Sequence, residues 1–407
     1  MRSFVPLCIA LLLATSLAFE SRAADGVLLG VDVLEREAFK AIDGAKVGLI
    51  TNHTGVNGKG RPTVDLLNDA PGVTLVRLFG PEHGIRGELD QSMIEDGVDG
   101  PTGLPIVSLY GPRRQPEPEH FAGIDTLVFD IQDIGCRFYT YISTLKLAMQ
   151  AAADAGLRFV VLDRPNPIDG VTVEGPMLDP GEESFVGCHT LPLRHGMTIG
   201  EIAKLFAAEA AEGGGPLDID LVVIPCEGWR RADRWDSTGL LWIDPSPNMR
   251  RLNQAVVYPG VGLLETTNVS VGRGTDTPFE VFGAPWIDPW QLADALNGRE
   301  IPGVSFVPRF FTPETSVHKE LRCGGVDVIV HDADQIEAVP MGLMIAAELR
   351  RLYPDQWETR RYNRLLINSG IHRKLVEGAP AEQLIKMAEQ GVPEFLQRRD
   401  SVLLYAE

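Results

Sequence analysis

The chain of 407 residues is too long for one ordinary core and reads as two domains. Its 44% hydrophobic and 23% charged content is that of a globular protein. Acidic residues outnumber basic ones, 56 to 37, giving a formal charge of -19. That balance excludes a nucleic-acid partner, because such proteins displace counterions with Lys and Arg clusters, and it disfavours an anionic membrane surface.

Residues 1–24 combine Arg2, an apolar stretch from Phe4 to about Phe19, and small residues at Ala23 and Ala24. This is the pattern of a secretory signal peptide, so the expectation is export to the periplasm or outside the cell, with no membrane span once the segment is removed. A transmembrane anchor is the competing reading, but the apolar run is short for spanning. Removal leaves Cys136, Cys188, Cys226 and Cys323. They allow up to two disulfides but lack the CxxC spacing of a zinc or redox site, and buried free thiols are the plainer expectation.

From Leu28 onward, short apolar runs alternate with helical stretches. Lys46 to Thr51 leads to Asn52-His53-Thr54-Gly55. Val73 to Phe79 leads to Gly80-Pro81-Glu82-His83, with Arg86 a few residues on. Ile106 to Tyr110 leads to Gly111-Pro112, and Thr126 to Phe129 to Asp130-Ile131-Gln132-Asp133. Phe159 to Leu162 leads to Asp163-Arg164-Pro165-Asn166, and Leu221 to Ile224 to Pro225-Cys226-Glu227. Six β-runs separated by helices predict an α/β fold with a parallel sheet. The stretch Tyr141 to Gly156 has apolar residues at helical spacing, and Thr198 to Glu212 opens on a capping-box pattern, Thr198-Ile199-Gly200-Glu201.

In open parallel sheets the ligand crevice lies outside the carboxyl ends of the strands, where Asn52, Glu82, Asp130, Asp133 and Arg164 fall. No GxGxxG follows the first run, so no dinucleotide cofactor is indicated, and no other cofactor is expected. The texture becomes proline-rich near Trp242 to Arg251. The predicted division is a signal peptide over 1–24, a catalytic domain over 25–248, and a smaller auxiliary α+β domain over 249–407. Early in the second domain, Tyr258 to Trp286 is dense in Gly, Thr and Ser, and offers Glu265, Asn268, Ser270, Arg273, Thr275 and Glu280 as polar ligands.

Several chemistries compete on these residues. Glu82 beside His83 in a glycine-rich loop suits acid/base work. Asp130, Gln132 and Asp133, followed by Arg137, Tyr139 and Tyr141, supply the planar donors and aromatic faces that a sugar site needs; strand-end capping and helix packing are their structural alternative. His53, His83, Asp130 and Asp133 could together ligate a metal, but no HxH or HExxH spacing supports it, and no metal site is assigned. A serine nucleophile lacks its GxSxG.

Taken together, GLITNHTGV, LFGPEHGIRG, DIQDIGCRFYTYISTL, LDRPNPI, EGP, HGMTIGE, PSPNM and SVGRGTDTPFEVFGAPW resemble, in order, the exo-β-N-acetylmuramidases of the NamZ type, a family formerly known only as a domain of unknown function. The likeness runs from about Val27 to the last residues. It implies a Rossmann-like domain, a smaller second domain with the active-site cleft between them, and release of non-reducing terminal N-acetylmuramic acid from peptidoglycan-derived muramyl saccharides. It also implies that Glu82 is the catalytic acid/base.

Glycoside hydrolysis usually needs a second carboxyl, for which Asp130, Asp133, Glu265 and Glu280 are candidates, or else the substrate's own 2-acetamido group. Asn52, His53, His83, Arg86, Arg137, Tyr139, Arg164, Asn166, Asn268, Arg273 and Glu280 are the expected substrate-binding residues. Muramic acid carries a lactyl carboxylate, so one arginine among Arg86, Arg137, Arg164 and Arg273 is expected to meet it, Arg273 first, unless that residue pairs with Asp276 or Glu280. Two other functions stay open: a periplasmic binding protein for cell-wall sugars, and a metal-dependent hydrolase or esterase.

Overall fold

The computed structural model describes residues 26–82, 84–85, 95–210 and 215–406. The proposed signal peptide, His83 and Arg86 lie outside the described residues. The apolar runs form strands β1 (Lys46–Thr51), β2 (Thr74–Gly80), β3 (Gly97–Val98), β4 (Pro105–Ser108), β5 (Thr126–Asp130), β6 (Arg158–Leu162), β7 (Glu174–Met177), β8 (Pro192–Arg194) and β9 (Asp220–Ile224), followed by β10 (Val281–Ala284), β11 (Val304–Phe311) and β12 (Cys323–Val330).

Seven of these strands make one sheet in the order β3-β4-β2-β1-β5-β6-β9. Every pairing in it is parallel except β3 with β4. The chain runs outward from β1 through β2 to β4, then crosses back to lay β5 against the other side of β1, which makes the gap between β1 and β5 the topological switch point. The central strands are continuous apolar runs because both faces are covered: all of β5, and all of β1 after Lys46, is buried. Val47, Leu49, Val128 and Val160 pack beneath the sheet with the helices Gly30–Arg36 and Thr63–Asn68. Ile50, Phe79, Phe129 and Phe159 pack on the other face with Tyr141–Asp154 and Ile199–Glu209. The second of these helices starts as the sequence predicts, with the Thr198 hydroxyl accepting from the Glu201 amide and the Glu201 carboxylate accepting in turn from the Thr198 amide.

The second part of the chain holds the antiparallel sheet β10-β12-β11 and the helices Leu252–Val261, Pro289–Asn297 and Ala338–Leu352. Leu252–Val261 and Ala338–Leu352 cross at Gly260 and Gly342. A Cβ on Gly260 would lie 2.0 Å from the Ala338 carbonyl, so glycine is what allows the approach. The core on the upper face of the large sheet continues without a break into this part through Val256, Leu263, Phe282 and Leu343.

The four cysteines Cys136, Cys188, Cys226 and Cys323 are free and buried. No helix among the described residues is long and apolar enough to cross a membrane.

Candidate active site

At the switch point itself the protein fills the crevice with its own side chains. Asp130, the last residue of β5, is fully buried; Arg164 donates to it from Nε at 2.6 Å and from Nη2 at 3.0 Å, and the Thr63 hydroxyl donates to Oδ2. Arg164 also donates to the Val56 carbonyl at 2.8 Å. Such a pair is tolerable in a core because its lone pairs and protons are consumed. Asp130 and Arg164, expected at the site, are therefore held inside the fold and do not reach the cleft.

Asp133 is likewise internal: its Oδ2 accepts from the Gly135 amide at 2.7 Å and lies 3.6 Å from Nε2 of the buried His195. Asn52 spans Tyr141, to whose hydroxyl it donates at 2.9 Å, and Thr54, whose amide it accepts at 2.9 Å. His53 donates from Nε2 to the Asp244 carbonyl at 2.6 Å. Asn166 donates to the Met197 carbonyl at 3.0 Å and accepts the Ile168 amide. Arg137 is completely buried and donates to the carbonyls of Pro176, Leu191, Leu365 and Leu366, at 2.6 to 3.2 Å. Each of these expected ligands is committed to shaping loops, and none lines the cavity described next.

A cavity of about 740 Å³ opens beside the ends of β2 and β4, between the first domain and the second. That is the size of sites that enclose a small-molecule ligand. Glu82, two residues past β2, is half-buried in its wall. Its Oε1 accepts from the Tyr110 hydroxyl at 2.7 Å and its Oε2 from the Thr140 hydroxyl at 2.9 Å. Tyr110 stands two residues past β4, the neighbour of β2. Thr140 is the N-cap residue of Tyr141–Asp154 but makes no side-chain cap to its own helix; its hydroxyl goes to Glu82.

The floor is aromatic. Tyr139 meets Tyr141 edge-on at 5.1 Å and Tyr258 at 5.9 Å, and Tyr258 meets Phe279 at 4.7 Å and Phe138 at 5.0 Å. Burial pushes the phenols of Tyr139, Tyr141 and Tyr258 well up, so they stay protonated donors. The Tyr141 hydroxyl donates to the Pro245 carbonyl at 2.7 Å, with Asn52 behind it. Ser246 and Asn248 add polar groups from the connection between domains. From the second domain come Glu265 and Arg273, joined in a salt bridge, and Arg364.

Among the expected second carboxyls, Glu265 shares the cavity with Glu82. Glu280 lies apart, taking a bond from Gln254 at 3.2 Å with Arg251 at 3.8 Å, and burial raises its carboxyl. Asn268 also lies apart, donating to the Gln356 carbonyl and accepting the Glu358 amide. Arg273, the arginine expected first to meet the substrate, does line the cavity but is salt-bridged to Glu265, a partner other than the Asp276 or Glu280 weighed as its alternative. Tyr110, Thr140, Ser246, Asn248, Tyr258 and Arg364 were not among the expected ligands. Tyr110 carried a usable signal, since it ends a β-run like the residues that were chosen; Thr140, Ser246 and Asn248 lie in quoted motifs and Tyr258 opens the Gly-, Thr- and Ser-dense stretch, whereas Arg364 lies in no motif. Chemically, two carboxylates over an aromatic floor suit acid/base work on a sugar, whose apolar face stacks on rings while its hydroxyls take the polar rim.

Comparison with known proteins gives matches along nearly the whole chain. Residues 47–253 match the family model of the N-terminal domain of exo-β-N-acetylmuramidase NamZ, and residues 256–405 that of its C-terminal domain. The peptidoglycan β-N-acetylmuramidase NamZ of Bacillus subtilis (strain 168) is 44% identical over 384 residues, covering 93% of this chain and 91% of the relative. A crystal structure of a DUF1343 family protein from Bacteroides fragilis NCTC 9343 superposes with a TM-score of 0.86 at 37% identity, over 93% of this chain and 99% of that one. A second from the same organism gives 0.77 at 28% identity, over 94% and 100%.

Proposed function

The chain belongs to the exo-β-N-acetylmuramidase NamZ family, and from that premise we propose that it is an exo-acting glycoside hydrolase that releases non-reducing terminal β-1,4-linked N-acetylmuramic acid from peptidoglycan fragments. The observation that carries the reading to a residue is the cradle around Glu82: a carboxyl held by two hydroxyl donors at the wall of an aromatic-floored cavity. Glu82 serves as the general acid that protonates the departing glycosidic oxygen, and as the base for the water that follows. Tyr110 and Thr140 fix its orientation. Two groups can meet the anomeric carbon: Glu265, supported by its place in the same cavity, and the 2-acetamido oxygen of the substrate itself.

Incubation of the purified chain with a chromogenic N-acetylmuramide, with and without EDTA, tests the activity. Release of the chromophore in both conditions is the expected result. Saturable binding without turnover would make the chain a sugar-binding protein, and loss with chelator a metalloenzyme. Glu265→Gln then separates the two courses, since turnover is abolished if Glu265 acts on the sugar and persists if the acetamido group does.

Export of the chain belongs to the same proposal and is supported by the Arg2, apolar and Ala23-Ala24 pattern of residues 1–24. N-terminal sequencing of the mature protein should begin near Ala24 or Asp25; retention of Cys8 would overturn this.

A further inference from the structure

We propose that Arg364 is the cation that binds the 3-O-lactyl carboxylate of the terminal muramic acid, an assignment that rests on the muramidase reading above. Three arginines and two glutamates stand among the described residues of the cavity wall, a local positive excess in a chain of net charge -19. An anionic ligand suits that excess. The three arginines are not equivalent. Arg273 is paired with Glu265, and Arg114 lies over the ring of Phe185 at 4.4 Å. The guanidinium of Arg364 makes no hydrogen bond, ion pair or ring contact with any described residue.

A free guanidinium on a loose loop would mean little, but the backbone around Arg364 is fixed on both sides. Before it, the hydroxyl of Thr266, itself in the cavity wall, donates to the Arg361 carbonyl at 2.7 Å. Immediately after it, Arg137 donates to the carbonyls of Leu365 at 3.2 Å and Leu366 at 2.6 Å while holding Pro176 and Leu191 of the first domain. Arg364 is thereby presented into the cavity from the short helix Asn363–Leu366 with its planar fork unspent, the arrangement that bidentate carboxylate binding requires. Arg137, expected from the sequence to touch substrate, is in this account the residue that positions the one that does.

A carboxylate can reach the cavity from the lactyl ether or from a peptide joined to it, and the test separates these. Arg364→Gln, Arg364→Lys and Arg114→Gln are assayed beside wild type on a chromogenic N-acetylmuramide, the corresponding N-acetylglucosaminide, and the muramide whose lactyl group is amidated with alanine. Arg364→Gln should lose about ten- to a hundredfold in kcat/KM on the free-acid muramide, with the glucosaminide unchanged and Arg364→Lys recovering part of the loss. An unchanged ratio between the two substrates, an equal fall on both, a ratio that moves with Arg114 instead, or a dependence on Arg364 seen only with the alanine amide would each overturn the assignment. Calorimetric binding of free N-acetylmuramic acid against N-acetylglucosamine decides the same point without turnover. Wild type that binds the former in an Arg364-dependent way but hydrolyses no muramide would leave Arg364 standing and overturn the catalytic reading.

Discussion

The phenolic hydroxyl of Tyr110 donates to Oε1 of Glu82 at 2.7 Å, joining two side chains that leave the ends of adjacent parallel strands. Replacing Glu82 by Gln keeps its shape and removes its proton chemistry. Turnover of the muramide should fall by about 10² to 10⁴ with the melting temperature little changed. A folded Glu82→Gln variant with near wild-type kcat would show that another group carries the proton.

If Tyr110 acts by orienting Glu82, its effect must vanish when Glu82 is gone. Tyr110→Phe should lower kcat by roughly tenfold in the wild-type background, the loss of the hydrogen bond that orients the carboxyl. In the Glu82→Gln background it should change kcat little. Additive losses in this double-mutant cycle would assign Tyr110 a separate contact with the substrate.

Arg137 should register first in stability, and in substrate choice only through the place it gives Arg364. Burial pushes its guanidinium down to about 10, so it is still charged at neutral pH, with four carbonyls solvating the charge in place of water. Arg137→Met leaves those carbonyls buried without donors and should cost at least about 3 kcal/mol in a denaturant titration. Unchanged stability would mean that water replaces the side chain.

Asp163 makes stability depend on pH. Burial raises its carboxyl to about 6, against the pull of hydrogen bonds from Tyr405, Thr198 and Gly200. The folded state then holds this proton more tightly than the unfolded state, whose aspartate titrates near 3.9. The contribution therefore favours folding most below about pH 4, declines as pH rises from about 4 to 6, and is flat above. Melting temperatures across that window should show Asp163→Asn lacking this falling segment; identical slopes in the two proteins would refute it.

Much of this fold was legible in the residues. Apolar runs that end in polar triplets marked the parallel strands, and Thr198 with Glu201 marked a helix start to the residue. The place of Glu82 at a cavity wall was legible for the same reason, since Gly80-Pro81 forces the chain out of β2 just before it. Asp130 and Arg164 satisfied the same strand-end criterion and yet pair with each other inside the fold. Position along a strand says that a side chain reaches the sheet's carboxyl edge; it does not say whether a residue 34 positions away has already taken its lone pairs. Arg364 was illegible for the complementary reason. It lies on a four-residue helix whose place in the cavity wall depends on bonds from Thr266 and Arg137, both remote in the chain.

The bonds that residues 404–406 make to the first domain bear on how the chain acquires its shape during synthesis. The Tyr405 hydroxyl donates to Asp163, the Leu404 amide to Glu201 and the Arg231 amide to the Ala406 carbonyl. Asp163 and Glu201 are both fully buried, and the partner of the first is made 242 positions later. A nascent first domain emerging from the ribosome can enclose these acids with the bonds from Thr198, Gly200 and Arg231, but receives those from Leu404 and Tyr405 only after the second part has been made.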